Sequence, residues 1–183
     1  MRAALISARG VGVEGLGDVL HVADDHPRPK IRPRSDDVIV RVLATSLAPG
    51  DVRVLSGRTS WVQSPPSVPY IPGSDICGVV VEAGAKSTFK EGDEIIAMFE
   101  GKGPWDGLVE LKRCKATHTV RKPKGMTPVE ACTLPSSALT AMRAADLVKK
   151  GDRVVILGAG GGVGLSLVQL CKHRGASLVV AST

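Results

Sequence analysis

Residues 151–183 read GDRVVILGAGGGVGLSLVQLCKHRGASLVVAST, and they decide the fold of the second part of the chain. An apolar run at 153–157 is followed by five glycines within 158–164, and a second apolar run lies at 177–181. Between the two runs, apolar residues recur at i, i+4, i+7 and i+8, which is the spacing of one buried helix face. These residues are Val163, Leu167, Leu170 and Cys171. Gly175 is a candidate C-cap for that helix. The order strand, glycine turn, helix, strand predicts the opening βαβ unit of a dinucleotide-binding fold.

The glycine turn is the first candidate binding site. Such a turn places bare backbone N–H groups at a helix N-terminus, where a pyrophosphate can bind. The motif is Ala159-x-Gly161-x-x-Gly164, a variant of the usual three-glycine pattern. Gly161 would let the backbone approach the phosphates, and Gly164 would let the helix pack on the strand. The candidate cofactor-binding residues are Ala159, Gly160, Gly161, Gly162, Val163 and Gly164. A flexible linker is the alternative reading, and the flanking strands and amphipathic helix argue against it.

The end of the second apolar run bears on the choice of cofactor. NAD-binding proteins carry an acidic residue for the ribose 2′-hydroxyl about 20 residues beyond the motif. This chain has Ala181, Ser182 and Thr183 there. Because no carboxylate would repel a 2′-phosphate and two hydroxyls could bond to one, we expect NADPH, with Ser182 and Thr183 as contacts. The alternative is that the determinant lies beyond residue 183.

A complete dinucleotide-binding domain has about five or six parallel strands, and residues 151–183 supply two. The sequence is therefore expected to be a fragment or a truncated product. The 183 residues suffice for one domain and a fraction of another.

Composition narrows the class of protein. Hydrophobic residues make up 43% of the chain and aromatic residues 3%, which predicts a core of aliphatic side chains. No apolar run reaches the ~18 residues of a membrane span, and the N-terminus resembles neither a secretory signal nor a transit peptide. The four cysteines form no close pairs, as expected of a protein in a reducing compartment, and we expect a cytoplasmic protein that binds no membrane.

The net charge of +6 is concentrated in one segment. Six basic residues fall within thirteen positions, namely Lys112, Arg113, Lys115, Arg121, Lys122 and Lys124. The segment could bind nucleic acid, or it could be a solvated strand and loop whose field attracts an anionic cofactor. No interleaved aromatic residues or nucleic-acid motif accompany it, and we expect no nucleic-acid partner.

Residues 1–125 show the pattern of a small β-barrel or sandwich. Five apolar runs separated by turn signals predict strands at 38–44, 76–81, 94–99, 108–111 and 117–120. The Pro49-Gly50-Asp51 sequence predicts a turn. Four prolines at 57–72 predict a surface loop.

The pattern changes at residue 126. Thr127-Pro128-Val129-Glu130 is a capping box with proline at the first helical position. Pro135 interrupts the helix that follows, and a second helix is predicted over 136–149. The predicted division is a first domain at 1–125, then bridging helices and the start of the nucleotide-binding domain at 126–183. The fold class is α/β, or α+β for the chain as a whole.

Several segments now fall into one order. They are APGDVRVLSG (48–57), PYIPGSDICGVVVEAG (69–84), EGDEIIAM (91–98), WDGLVEL (105–111), TLPSSALTAMRA (133–144) and the glycine block. Together they resemble a medium-chain dehydrogenase/reductase, on the zinc-free quinone oxidoreductase (zeta-crystallin-like) branch. The resemblance covers essentially the whole chain. It implies a GroES-like β-barrel domain followed by a Rossmann domain, and a homodimer for a full-length form.

Zinc-dependent relatives supply ligands that this chain lacks. They place a cysteine in the segment matching 44–51, where this chain has Thr45, Ser46 and Leu47, and His-Glu where it has Ser74-Asp75. Their structural zinc site needs four clustered cysteines directly after the strand that ends near residue 99, and residues 100–106 of this chain read EGKGPWD. Zinc requires Cys, His or carboxylate ligands in a tetrahedral set, and we expect no metal.

The resemblance leaves few catalytic candidates. Some quinone reductases carry Asn and Tyr in the segment matching 48–54, where this chain has Ala48 and Arg53. Arg53 could steady a developing oxyanion, or it could be an ordinary surface residue. Asp51 is better read as a turn or helix cap than as a general base, and Asp75 as a structural carboxylate at a domain interface. Thr140 matches a family position near the cofactor, and it could equally be an ordinary helix residue.

The resemblance implies an NADPH-dependent oxidoreductase that transfers hydride to a quinone or an α,β-unsaturated carbonyl compound without zinc. The alternative is a truncated, non-catalytic relative that acts as a binding or structural protein, or a fragment inactive on its own.

Overall fold

The computed structural model describes residues 1–10, 12–58, 67–98 and 106–183. The chain forms two compact units, Met1–Cys132 and Thr133–Thr183. The sequence places the division after residue 125. In the structure it falls seven residues later, because helix α3 (Pro128–Ala131) packs against strands of the first unit.

The first unit is built on a five-stranded antiparallel sheet. Its strands are β3 (Val38–Ser46), β4 (Asp75–Ala83), β5 (Glu94–Ala97), β6 (Leu111–Cys114) and β7 (Thr119–Arg121), and their order is β6-β3-β4-β5-β7. The central strands β3 and β4 are the longest and most apolar, because both of their edges are paired and their inward faces are buried. Val38, Val40, Ile76, Val80 and Ile95 form the main core cluster.

A smaller antiparallel pair completes the β-structure of this unit. Strands β1 (Ala3–Ile6) and β2 (Leu20–Ala23) are joined through a 3₁₀ turn (Val13–Gly15) and the single-turn helix α1 (Leu16–Val19). Strand β1 also bridges to Val109 and to Tyr70. These bridges connect the pair to the segments that precede β4 and β6.

Three expectations for the first unit are corrected. Residues 49–51 begin helix α2 (Pro49–Leu55) instead of forming a turn, because proline occupies the first turn and Asp51 caps the helix start. The predicted surface loop at 57–72 is buried at its end, where Tyr70 pairs with Ile6. Residues 59–66 of that loop, and residue 99 of the predicted strand 94–99, lie outside the described residues.

The strand predicted at 108–111 begins three residues later, as β6. The hydrophobic pattern misplaces it because a charged side chain, Lys112, alternates with Cys114 on the buried side of β6. Lys112 is accommodated there by an ion pair with Asp106. A sequence pattern that counts lysine as exposed cannot identify such a strand.

The capping box before α3 is confirmed. The backbone N–H of Thr127 donates to Glu130 Oε2 at 2.8 Å, and the N–H of Glu130 donates back to Thr127 Oγ1 at 3.3 Å. The next helix, α4 (Pro135–Ala145), starts at proline itself and ends four residues before the predicted limit.

The second unit contains α4 and the predicted βαβ segment, in which β8 (Arg153–Leu157) and β9 (Leu178–Ser182) pair in parallel and α5 spans Gly162–His173. Gly175 ends α5 as predicted: its N–H donates to Lys172 O at 3.0 Å, and the next amide, of Ala176, donates to Cys171 O at 3.1 Å. This pattern is a Schellman motif.

The buried face of α5 differs from the predicted one. Gly164 and Cys171 are buried, Leu167 and Val168 pack against Ile156, and Val163 is exposed. The buried face includes Gly164 because the helix approaches the backbone of Gly158 and Ala159 at this glycine, where a side chain would not fit. In the described part of the chain, no helix is long and apolar enough to span a membrane.

Candidate functional site

The glycine turn connects β8 to α5 through a short backbone reversal. Gly158 adopts a positive φ of 71°, and its carbonyl accepts the N–H of Gly161 at 3.1 Å. Gly161 is the N-cap of α5, and no side chain caps that helix. Because the first amides of a helix have no intrahelical acceptor, they are left to bind an external one.

Two glycines of the turn have opposite surroundings. A Cβ on Gly164 would lie 2.4 Å from the carbonyl oxygen of Gly158 and 2.6 Å from the Cα of Ala159. A Cβ on Gly161 would meet only Gly158 O, at an ordinary 3.5 Å. The absence of a side chain at 164 is therefore required for the fold, whereas the space at Gly161 is left open by the protein.

The end of β9 lies beside this turn. The N–H of Ala159 donates to Ser182 O at 2.7 Å, and a Cβ on Gly160 would lie 3.4 Å from Thr183 Cγ2. The structure thus brings Ser182 and Thr183 next to the glycines from which they are separated by some twenty residues. Of the other predicted contacts, Ala159 belongs to the core of the unit and Val163 is exposed.

The electrostatics of this unit favour an anion at the turn. The helix dipole places partial positive charge at the N-terminus of α5, and no acidic residue occupies its first turn. Residues 153–183 contain no Asp or Glu at all. Lys172 and His173 in the last turn of α5 complement the negative end of the dipole.

Helix α4 presents hydroxyl groups in the same unit. The predicted residue Thr140 is exposed, and its Oγ1 donates to Ser136 O at 2.7 Å, within its own helix. Ser137 is closer to the turn, because its Oγ lies 2.8 Å from where a Cβ on Gly162 would stand. Sequence reasoning missed Ser137, and the only signal was its place in the Ser136-Ser137 pair one helical turn before Thr140.

In the first unit, the predicted catalytic residue Arg53 lies in the last turn of α2 and is exposed. A cavity of about 240 Å³ opens beside the same helix and is lined by Asp51, Val52 and Leu55. Arg53 does not line this cavity.

Asp51 has a structural role. Its Oδ2 accepts the N–H of Ala48 at 2.8 Å, and its Oδ1 accepts the N–H of Gly73 at 3.0 Å. The carboxylate therefore caps α2 and ties it to the segment before β4, as the helix-cap interpretation requires.

The positions that hold zinc ligands in zinc-dependent relatives carry different side chains in this chain. Thr45 Oγ1 donates to the carbonyl of Asp75 at 2.8 Å, Leu47 is exposed, and Ser74 and Asp75 are buried. Within residues 1–10, 12–58, 67–98 and 106–183, no three His, Cys, Asp or Glu side chains cluster in a way that could hold a metal ion. The side chains at these positions do not fit zinc.

The cysteines do not offer a reactive thiolate. All four are buried and free of disulfides. Burial raises the pKa of Cys77 and Cys132, and it raises the pKa of Cys114 to about 12. At neutral pH the thiols of Cys77, Cys114 and Cys132 are protonated and act as small apolar side chains.

The basic segment at 112–124 is largely neutralised within the chain. Lys112 pairs with Asp106, and Arg113 Nε lies 3.8 Å from Asp37 Oδ2. The remaining pairs are Arg121 with Asp93 at 2.8 Å and Lys122 with Glu94 at 3.5 Å. These pairings support the solvated-strand interpretation over a nucleic-acid surface.

Comparison with known proteins agrees with this architecture. Residues 34–141 match the family model of the alcohol dehydrogenase GroES-like domain. The NADPH-dependent alkenal/one oxidoreductase of Arabidopsis thaliana is 34% identical over 90% of this chain and 44% of its own length. The chloroplast envelope quinone oxidoreductase homolog of the same organism is 34% identical over 94% of the chain and 52% of its own length.

A solved structure extends the likeness to the fold. An alcohol dehydrogenase superfamily protein from Novosphingobium aromaticivorans superposes with a TM-score of 0.85 at 29% identity, over 99% of this chain and 52% of that one. The chain spans about half the length of the curated relatives that it matches.

Proposed function

This chain belongs to the medium-chain dehydrogenase/reductase family, and we propose that the protein is an NADPH-dependent oxidoreductase that reduces a quinone or an α,β-unsaturated carbonyl compound without zinc. The observation that carries the proposal is the contrast between the two glycines of the turn. Gly164 is needed for packing, whereas Gly161 leaves open space at an uncapped helix N-terminus.

The proposed pyrophosphate contacts are the backbone amides of Gly160 and Gly162, and Gly161, whose own N–H donates to Gly158 O, leaves the space beside them open. Their N–H groups lie at or before the first turn of α5, where the helix dipole and free donors together favour an anion. Ala159 and Gly164 are buried and support the conformation of the turn. Val163 is a further proposed contact because it is exposed. We place Thr140 on the periphery of the same site, with Ser137 closer to Gly162.

NADPH, and not NADH, is the proposed cofactor. Ser182 and Thr183 lie beside the glycine turn, and no carboxylate between residues 153 and 183 could repel a 2′-phosphate. Hydroxyl groups can donate hydrogen bonds to a phosphate, and the positive net charge of +6 favours an anionic cofactor generally.

When bound, NADPH would supply the hydride, and the protein would supply position and electrostatics. Arg53 is the proposed group for steadying negative charge on a substrate oxygen. Its support is a guanidinium that is exposed and has no hydrogen bond or ion pair to another described residue. Substrates of the two classes named for the relatives, alkenals or enones and quinones, are proposed for this protein.

The compartment and assembly are also proposals. Four buried, unpaired cysteines support a reducing compartment, for which we propose the cytoplasm. A homodimer is proposed from the family resemblance. The location of a fluorescent fusion protein tests the compartment, and a plastid signal would overturn the cytoplasmic proposal. Sedimentation analysis tests the assembly, and a monomer would overturn the proposed homodimer.

The deciding experiment is a titration of the native protein with NADPH and NADH. NADPH should bind at least about tenfold more tightly, which is about 1.4 kcal/mol, and should be oxidised in the presence of cyclohex-2-enone or 1,4-benzoquinone. Ser182→Asp should reverse the preference, because it introduces the carboxylate that repels a 2′-phosphate. Gln169→Glu, which adds the same charge at an exposed site two turns along α5, should leave it unchanged. Equal affinities in the unsubstituted protein would refute the assignment of NADPH.

A further inference from the structure

The cavity beside α2 is lined almost entirely by apolar side chains. The aliphatic side chains among them are Ile6, Leu16, Leu20, Leu47, Val52, Leu55 and Leu108. At the ~30 Å³ that one water occupies in the liquid, its volume of about 240 Å³ corresponds to about eight non-hydrogen atoms. This is smaller than a typical drug-sized site, and it suits a compact apolar molecule.

Among the described residues that line this cavity, Tyr70 carries a hydroxyl group with no described partner. The residue is 4% exposed, and its backbone is held in place by two hydrogen bonds to Ile6, at 2.7 and 3.1 Å. Its phenolic hydroxyl makes no hydrogen bond to any other described residue. Buried tyrosine hydroxyls usually have a partner, and a buried donor without one is costly. An acceptor that enters the cavity would supply such a partner.

Asp51 is the charged residue that lines the cavity, and it does not satisfy Tyr70. Both of its oxygens already accept backbone amides, those of Ala48 and Gly73. Its charge nevertheless acts on the tyrosine. Burial and the Asp51 carboxylate raise the pKa of Tyr70, and the smaller effect of the Arg9 charge opposes them. Tyr70 thus remains a protonated donor at neutral pH, and an anionic acceptor would be repelled by Asp51.

We propose that this cavity binds a short, neutral, apolar carbonyl compound and that the hydroxyl of Tyr70 donates a hydrogen bond to its carbonyl oxygen. The inference deepens the proposed function, on which it rests for the choice of an enone as occupant. Binding in the absence of cofactor tests it separately. If an enone binds but is not reduced in the presence of NADPH, the proposed oxidoreductase activity is contradicted. If NADPH binds but no enone enters the cavity, the proposed carbonyl site is contradicted.

The first test uses cyclohex-2-enone and its hydrocarbon analogue cyclohexene, with binding to the whole chain followed by ligand-observed NMR. Tyr70→Phe should weaken the binding of the enone by about three- to tenfold, the range expected for one lost hydrogen bond. It should leave the affinity for cyclohexene unchanged. Val52→Trp, which extends a half-exposed lining side chain into the cavity, should abolish binding of both. Val129→Trp, at an exposed site on α3 that does not line the cavity, should affect neither.

The second test exploits the fact that Tyr70 is the only tyrosine of the chain. Its ionisation can be followed directly in the tyrosinate absorption band. A carbonyl acceptor stabilises the protonated phenol, so that saturating enone should raise the pKa of Tyr70, and cyclohexene should not lower it. The proposal is overturned by a pKa that is the same with and without bound enone, by equal affinities of Tyr70→Phe and the unsubstituted chain, or by binding that survives Val52→Trp.

Discussion

Gly164 lies so close to Gly158 that a Cβ on Gly164 would stand 2.4 Å from the carbonyl oxygen of Gly158. The carbonyl belongs to the turn that leaves β8, and Gly164 belongs to the first turn of α5. This contact sets the distance between strand and helix. It thereby determines where the open helix N-terminus at Gly161 is presented.

Gly164→Ala should destabilise the second unit. Helix propensity alone predicts a gain of about 1 kcal/mol for replacing a helical glycine by alanine. The new methyl group would instead contact backbone atoms that cannot rotate away, and overpacking costs about 1–3 kcal/mol. We expect a net loss of about 1 kcal/mol or more, measured by urea unfolding and circular dichroism. A stabilised variant would show that the close contact can relax.

Gly161→Val should abolish dinucleotide binding in the native protein while the fold is retained. The valine methyl groups have room in the protein itself but occupy the space proposed for phosphate oxygens. The loss of glycine as N-cap costs about 1 kcal/mol at most. Titration by NADPH fluorescence, with circular dichroism as a check on folding, measures the effect. Undiminished affinity in a folded variant would mean that the phosphate site is misplaced.

Asp51→Ala should lower the stability of the first unit by about 1–3 kcal/mol, because the amides of Ala48 and Gly73 lose their acceptor. Asp51→Asn keeps one carbonyl oxygen as an acceptor. Its free energy of unfolding, measured by chemical denaturation, should therefore lie between those of Asp51→Ala and the unsubstituted protein. If Asp51 were instead a general base, Asp51→Asn would lose turnover with little change in stability.

Stability of the first unit should fall in acid. Asp37 is fully buried, and Arg32 donates to it twice, at 2.6 and 2.7 Å, which lowers the pKa of the carboxyl below its ordinary 3.8. A carboxyl whose pKa is lower in the folded state stabilises that state above the ordinary value. This contribution to stability is lost as the pH falls through the lowered pKa of Asp37 in the folded protein. Asp37→Asn should cost about 1–3 kcal/mol at pH 7 and should flatten the dependence between pH 4 and the acid limit. Parallel acid-unfolding curves for the two proteins would contradict this.

Purified protein should contain no stoichiometric zinc. The positions matching the family ligands hold Leu47, Ser74 and Asp75, a set that cannot form a tetrahedral site. Elemental analysis and activity after chelation check the expectation together. About one zinc ion per chain, or activity lost to a chelator and restored by zinc, would refute it.

Local signals predicted the second unit best. The strand 153–157, the glycine turn, the helix that follows and its Gly175 cap are each encoded within a few consecutive residues, so that periodicity and backbone preference identify them. The same is true of the Thr127–Glu130 capping box. The family resemblance rested on such segments, and the GroES-like match over 34–141 confirms it.

Elements that depend on distant partners were predicted less well. The hydrophobic pattern misplaces strand β6 because Lys112 is buried through its pairing with Asp106. The local sequence predicts a turn at the start of α2 because one of the amides that Asp51 binds belongs to Gly73, 22 residues away. The exposed position of Val163 depends on how closely α5 approaches the Gly158 carbonyl.

The amino-acid sequence by itself determined the family, the glycine turn and the lack of the cysteine and histidine that zinc-dependent relatives carry, because each of these is a property of residue identity and short-range spacing. Only the tertiary structure decided which glycine is needed for packing and which leaves space for a ligand, and that Ser182 and Thr183 lie beside that turn. It also decided that the hydroxyl of Tyr70 is buried beside an apolar cavity, with no partner among the described residues. Those are distances between residues far apart in the chain, and they exist only once the hydrophobic core has closed around them.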